Sequence, residues 1–94
     1  MKIEECLWLD EFVDKIIRKH NVSLEEMERV LSKDPVIRRL EGGHVKGEDL
    51  FIGFGRTDAG RYLSVLFVLK KDKRALVISA RDMTKRERRK YGKR

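Results

Sequence analysis

The chain has 94 residues, 40% hydrophobic and 41% charged, and its 23 Lys and Arg against 16 Asp and Glu give a formal net charge of +7. That length suits one domain over residues 1–94 and excludes two cores. No apolar run approaches the roughly 20 residues of a spanning helix and the first residues lack a signal-peptide profile, so no membrane partner and a cytoplasmic location are expected.

In chain order, the run IEECLWL (3–9) has strand-like composition, and its single cysteine, Cys6, excludes an internal disulfide and reads as a small buried hydrophobe. Asp10 is the expected N-cap of a helix in which Phe12, Val13, Ile16, Ile17 and His20 share one stripe, while Glu11/Lys15 and Asp14/Arg18 pair four residues apart. A capping box, Ser23 with Glu26, and a staple of Val22 on Met27 start a second helix at Leu24, with Leu24, Met27, Val30 and Leu31 as its core face. Pro35 stops that helix by Asp34. PVIRRLEGGHVKGED then reads as a short edge strand and an exposed loop. Three better strands follow: DLFIGFGR, RYLSVLFVLK and RALVISAR. The short polar links TDAG and KKDK make them an antiparallel meander. Thr84 and Glu87 repeat the capping-box spacing and open a third helix near Lys85. The expected fold class is α+β: an antiparallel sheet, a three-stranded meander plus short extra strands, with its helices on one face, two of them N-terminal and a short basic one at the C-terminus.

Charge is unevenly spread. From Arg81 onward eight basic residues oppose two acids, a balance of +6, so the first eighty residues sum to +1. A localised excess of this kind implies a polyanionic partner, nucleic acid before membrane. Arg56 and Arg61 flank the turn in GRTDAGR, and Arg81 ends the neighbouring strand, so the three guanidiniums are expected to converge, with Lys85, Arg86, Arg88 and Arg89 of the last helix around them. Each arginine alone fits a solvating strand end, and a basic last helix also complements the helix dipole.

Other chemistry finds little support. His20 sits at a helix end, where a core or capping role is the commoner one, and His44 lies in the glycine-rich loop; their separation fits no zinc spacing, so neither a metal site nor a cofactor is expected. GFGRTDAG lies between strands and opens no helix, unlike a dinucleotide fingerprint, and no Walker-type loop is present. Trp8 reads as core; Tyr62 and Tyr91 are stacking candidates, Tyr91 the more exposed.

Together RKHNVSLEEM, GRTDAGRYLSVLFV and ISARDMTKRERRKY resemble the BrnT family of bacterial toxins from type II toxin-antitoxin systems, over residues 8–91. The resemblance implies a RelE-like ribonuclease fold, RNA as substrate, and a BrnA-like ribbon-helix-helix antitoxin through which operator DNA is bound. By motif it carries Lys19 and His20 in the first helix, Arg56 and Arg61 in the centre, and Arg81, Arg86 and Tyr91 at the end. LWLDEFVDK lacks the family's usual Asn- and Ala-rich helix face, and GGHVKGEDLF departs from its acidic loop. The implied reaction needs no metal, because the 2′-hydroxyl of RNA is the nucleophile and arginines can stabilise the phosphate. The expected catalytic set is Arg56, Arg61, Arg81 and Arg86 on the phosphate, with His20 for proton transfer and Tyr91 or a lysine as substitute; Lys19, Lys85, Arg88 and Arg89 would bind RNA. The alternative reading is a non-catalytic module that holds nucleic acid or an antitoxin.

Overall fold

The structure, a computed structural model, describes residues 2–41 and 48–92. The glycine-rich loop with His44, and the terminal Lys93 and Arg94 of the basic run, lie outside the described residues. The elements are β1 (Glu5–Leu7), α1 (Asp10–His20), α2 (Leu24–Ser32), β2 (Val36–Glu41), β3 (Leu50–Arg56), β4 (Tyr62–Leu69), β5 (Arg74–Asp82) and α3 (Lys85–Gly92). They build a five-stranded sheet in the order β1-β5-β4-β3-β2. The meander β3-β4-β5 is antiparallel throughout, and β2 is an edge strand antiparallel to β3. β1 joins the other edge parallel to β5, the one departure from an all-antiparallel sheet. No described helix is long and apolar enough to cross a membrane.

Local chemistry accounts for most helix ends. Ser23 Oγ accepts from the Glu26 amide at 3.1 Å and Glu26 Oε1 accepts from the Ser23 amide at 2.9 Å, the reciprocal pair that opens α2. Thr84 and Glu87 form the same pair at 3.1 and 2.9 Å and open α3. α1 differs from expectation. Its N-cap is Leu9, which makes no side-chain cap, and Asp10 lies inside the first turn with Glu11, where both carboxylates face the positive end of the helix dipole. Asn21, at φ 51°, ends α1 in the left-handed region and returns its amide to the Ile17 carbonyl.

The helices do not share one face of the sheet. On the first face, Ile16 of α1 and Met27, Val30 and Leu31 of α2 pack on Leu63, Val65, Phe67, Ala75 and Val77, with Trp8 and Cys6 partly buried at the margin. Gly53 and Gly55 let α2 approach this closely: a Cβ on either would stand 2.9 Å from Leu31 Cδ2 or Val30 Cγ1. The alternate residues of β3, Ile52 and Phe54, point the other way and form a second cluster with Met83, Tyr62, Leu66 and Tyr91. α3 therefore lies on the face opposite α1 and α2. Its sequence shows why this is hidden: Tyr91 is its one large apolar side chain, and the rest of the helix is charged or glycine.

Burial first, and the nearby Glu28 and Glu5, raise the Cys6 thiol to about 11, which disfavours its reactive thiolate form.

Candidate nucleic-acid interface

The turn between β3 and β4 decides where the arginines go. Its Thr57 amide donates to the Arg61 carbonyl at 2.8 Å, the Gly60 amide to the Thr57 carbonyl at 2.9 Å, and Gly60 takes φ +92°. This register sets Arg56 opposite Tyr62. Side chains alternate along a strand, so Arg56 and Tyr62 share the α3 face while Arg61 is sent to the α1/α2 face. Arg81 pairs with Ser64 across the ladder and so lies on the α3 face. Arg61 therefore leaves the convergence expected of the three, while Arg56 and Arg81 share the α3 face.

Arg61 is bound on every side. Its Nε donates to Asp82 Oδ1 at 2.7 Å, Nη1 to the Asn21 carbonyl at 2.7 Å and to Glu26 Oε1 at 3.2 Å, and Nη2 to the His20 carbonyl at 3.0 Å and Asp82 Oδ2 at 3.3 Å. All five guanidinium protons thus have acceptors. The side chain ties the end of α1, the cap of α2 and the end of β5 into one corner. Hydrogen bonding from Arg61 holds the Asp82 carboxyl below the usual carboxylate range, with His20 contributing a smaller electrostatic share.

Arg81 is also engaged. Its Nη1 and Nη2 donate to Glu87 Oε1 and Oε2 at 2.7 and 2.9 Å, a bidentate pair, and Nη1 also reaches the Asp82 carbonyl at 3.1 Å. Glu87 further accepts from Ser64 Oγ at 3.1 Å and from the Thr84 amide. Hydrogen bonds from Arg81 first, then from Thr84 and Ser64, hold the Glu87 carboxyl at about 2 against the desolvation of its site. This network fastens α3 to the sheet.

What remains open is Tyr62 and its neighbours. The Arg88 guanidinium carbon lies 4.3 Å from the Tyr62 ring centroid and that of Arg56 lies 5.2 Å from it, both within cation–π range. Tyr91 meets the same ring edge-on at 6.0 Å between centroids. Neither Arg56 nor Arg88 makes an ion pair among the described residues, whereas Arg61 and Arg81 both do. A cleft of about 710 Å³ opens beside this group, walled by Arg56, Tyr62 and Tyr91 with Lys33, Asp34 and Asp58 across it. A second concavity of about 350 Å³ continues over Tyr62 between Lys85, Arg88 and Arg89.

Of the sequence-derived set, then, Arg56, Tyr91, Lys85, Arg88 and Arg89 meet around Tyr62. Arg86 and Lys19 are exposed and line neither concavity, and His20 is exposed at the end of α1, beside Asp82 and outside the cleft lining. Tyr91 is half-buried against Tyr62, not the freely exposed ring that its position suggested. Sequence reasoning missed Lys33, and it left Tyr62 at the margin; a turn that pairs Thr57 with Arg61 would have placed Tyr62 beside Arg56. Among the described residues no group of three or more His, Cys, Asp or Glu side chains gathers to hold a metal ion.

Residues 8–87 match the model of a family described as the ribonuclease toxin BrnT of type II toxin-antitoxin systems. The chain belongs to the BrnT family. It is thereby a ribonuclease toxin of a type II toxin-antitoxin system, with RNA as its target and an antitoxin as its counterpart. The BrnT fold is independently visible in the 1.1 Å crystal structure of the Brucella abortus ribonuclease toxin BrnT, which superposes with a TM-score of 0.66 at 20% sequence identity, over 90% of this chain and 99% of that one. A search of curated proteins gives no match.

Proposed function

We propose that the chain cleaves single-stranded RNA without a metal ion, at a site where Arg56 and Arg88 hold the scissile phosphate above Tyr62. The observation that carries this reading is a pair of guanidiniums, free of carboxylate partners among the described residues, on one aromatic ring at the mouth of a cleft. A planar donor fork suits two nonbridging phosphate oxygens, and two forks on one ring leave the ring available to stack a base as the phosphate draws them outward. The 2′-oxygen bonds to phosphorus, the bond to the 5′-oxygen breaks, the 2′-proton leaves to a base and the departing 5′-oxygen gains a proton. The products are a 2′,3′-cyclic phosphate and a 5′-hydroxyl. The arginines supply the positive charge that this transition state needs.

Tyr91 is the proton-transfer group we assign, because it lines the same cleft as Arg56; Lys85 stands nearby as the alternative. Lys85 and Arg89 extend the phosphate track along α3. Arg61, Arg81 and His20 serve the frame: the first two through the pairs described above, His20 through its carbonyl. The antitoxin in this reading is BrnA-like, with a ribbon-helix-helix part through which operator DNA is bound, and both proteins act in the cytoplasm.

Incubating purified protein with a single-stranded oligoribonucleotide in excess chelator tests the proposal. Cleavage to cyclic-phosphate ends is expected, and a single 2′-deoxy substitution at the cut position should block it. RNA that is bound but left intact would instead make the chain a non-catalytic binding module.

A further inference from the structure

α3 separates two surfaces, and the second differs in chemistry from the Tyr62 cleft. Between β2 and α3 a cavity of about 240 Å³ has Val36, Phe54 and Tyr91 as its floor and Arg38 and Lys90 on its rim. On the same sheet face a further cavity of about 230 Å³ runs over Ile52 and Leu66, with Leu40 on its wall. Leu40 is 50% exposed, the highest value among the large hydrophobic side chains left in solvent. The Arg81–Glu87 pair links the two cavities, one residue lining each. Together they make a trough with apolar side chains along its floor, crossed by this ion pair and flanked by the edge strand.

Its charges are selective. Arg38 and Lys90 are exposed and make no ion pair among the described residues. The one carboxylate in the wall, Glu87, already accepts from Arg81, Ser64 and Thr84. RNA binding would call for aromatic platforms or several donors gathered on a phosphate. A trough whose aromatic rings are sunk in its floor, Phe54 8% exposed and Tyr91 half-buried against Tyr62, and whose rim cations without an ion pair among the described residues are Arg38 and Lys90 alone, offers neither. It suits a peptide segment with aliphatic side chains on one side and carboxylates on the other.

We propose that an acidic amphipathic segment of the antitoxin seats in this trough, its aliphatic side chains on Val36, Leu40, Ile52 and Leu66 and its carboxylates on Arg38 and Lys90. Tyr91 lines both this trough and the Tyr62 cleft, so a segment bound here fixes the ring that the RNA cleft shares. Neutralisation then acts from the far side of α3 and leaves the phosphate-binding arginines uncovered. The binding assignment rests on the family reading only in taking the counterpart to be a protein antitoxin; the step through Tyr91 rests on the RNA site proposed above.

The test compares the free chain with its complex with the antitoxin encoded beside it. Hydrogen exchange should show protection at 36–40 and 87–91 on complex formation. The double variant Arg38→Glu with Lys90→Glu, and separately Leu40→Asp, should weaken antitoxin binding at least tenfold, while RNA cleavage by the free variants stays within twofold of the parent. Protection confined to α1 or the β3–β4 turn, with affinity unchanged in these variants, would overturn the assignment. A tenfold loss of RNA cleavage with antitoxin affinity kept would overturn it too, by making the trough an RNA track. Loss of cleavage in the unmutated chain would bear on the nuclease reading and leave the binding result standing.

Discussion

Arg56 and Arg61 leave the same turn and end on opposite sides of the sheet, and that divergence separates the proposed phosphate ligand from a structural tie. Arg61 is 26% exposed and its acceptors come from three elements. Replacing it with Met keeps much of the stem and returns its exposed acceptors, Asp82 and the His20 and Asn21 carbonyls among them, to water, at a cost of about 1–2 kcal/mol. Urea unfolding should record that loss, while cleavage per folded molecule falls only a few-fold; an unchanged midpoint would refute the tie. Glu87 gives a second residue-scale expectation. Its carboxyl is held at about 2 in the folded chain, below the roughly 4.3 of an unfolded glutamate. A depressed folded value means stability that is full above the unfolded pKa and is lost as pH falls towards the folded one. Unfolding measured from pH 5 to pH 2.5 should therefore fall more steeply for the parent than for Glu87→Gln; identical slopes would contradict the network. Sequence exposed the guanidiniums but not their partners, because whether Arg61 meets Asp82 or a ligand depends on register and face.

Among the elements, what was legible in sequence is what local chemistry determines. The capping boxes at Ser23/Glu26 and Thr84/Glu87, the polar links of the meander and the stop before Pro35 act within a few residues, and each appears as read. The parallel pairing of β1 with β5 and the side of the sheet that α3 takes depend on contacts distant in sequence, and no local pattern carries them. β3 shows how one strand serves both faces: Gly53 and Gly55 admit α2 while Ile52 and Phe54 support α3. Gly55→Ala would put a methyl 2.9 Å from Val30 Cγ1 and 3.5 Å from the Val30 carbonyl oxygen, a β-branched side chain with little freedom to yield. A loss of about 1–3 kcal/mol is expected from thermal or urea unfolding, and a neutral substitution would show that α2 docks less tightly than the geometry indicates.

For the whole molecule, the sheet divides labour. One face buries the main core under α1 and α2; the other carries the smaller cluster, α3, and with it most of the net charge. The sequence located that charge at the C-terminal end but could not show that carboxylates pair with Arg61 and Arg81 while Arg56 and Arg88 lie on Tyr62, where we propose that the scissile phosphate is held. Single-turnover cleavage of an oligoribonucleotide by Arg56→Ala and Arg88→Ala is the most direct measurement of that claim. Each variant should cut roughly 10²–10³-fold more slowly, the range for losing one donor to a developing oxyanion, with unfolding midpoints close to the parent's. Cleavage at the parental rate by both folded variants would contradict the account.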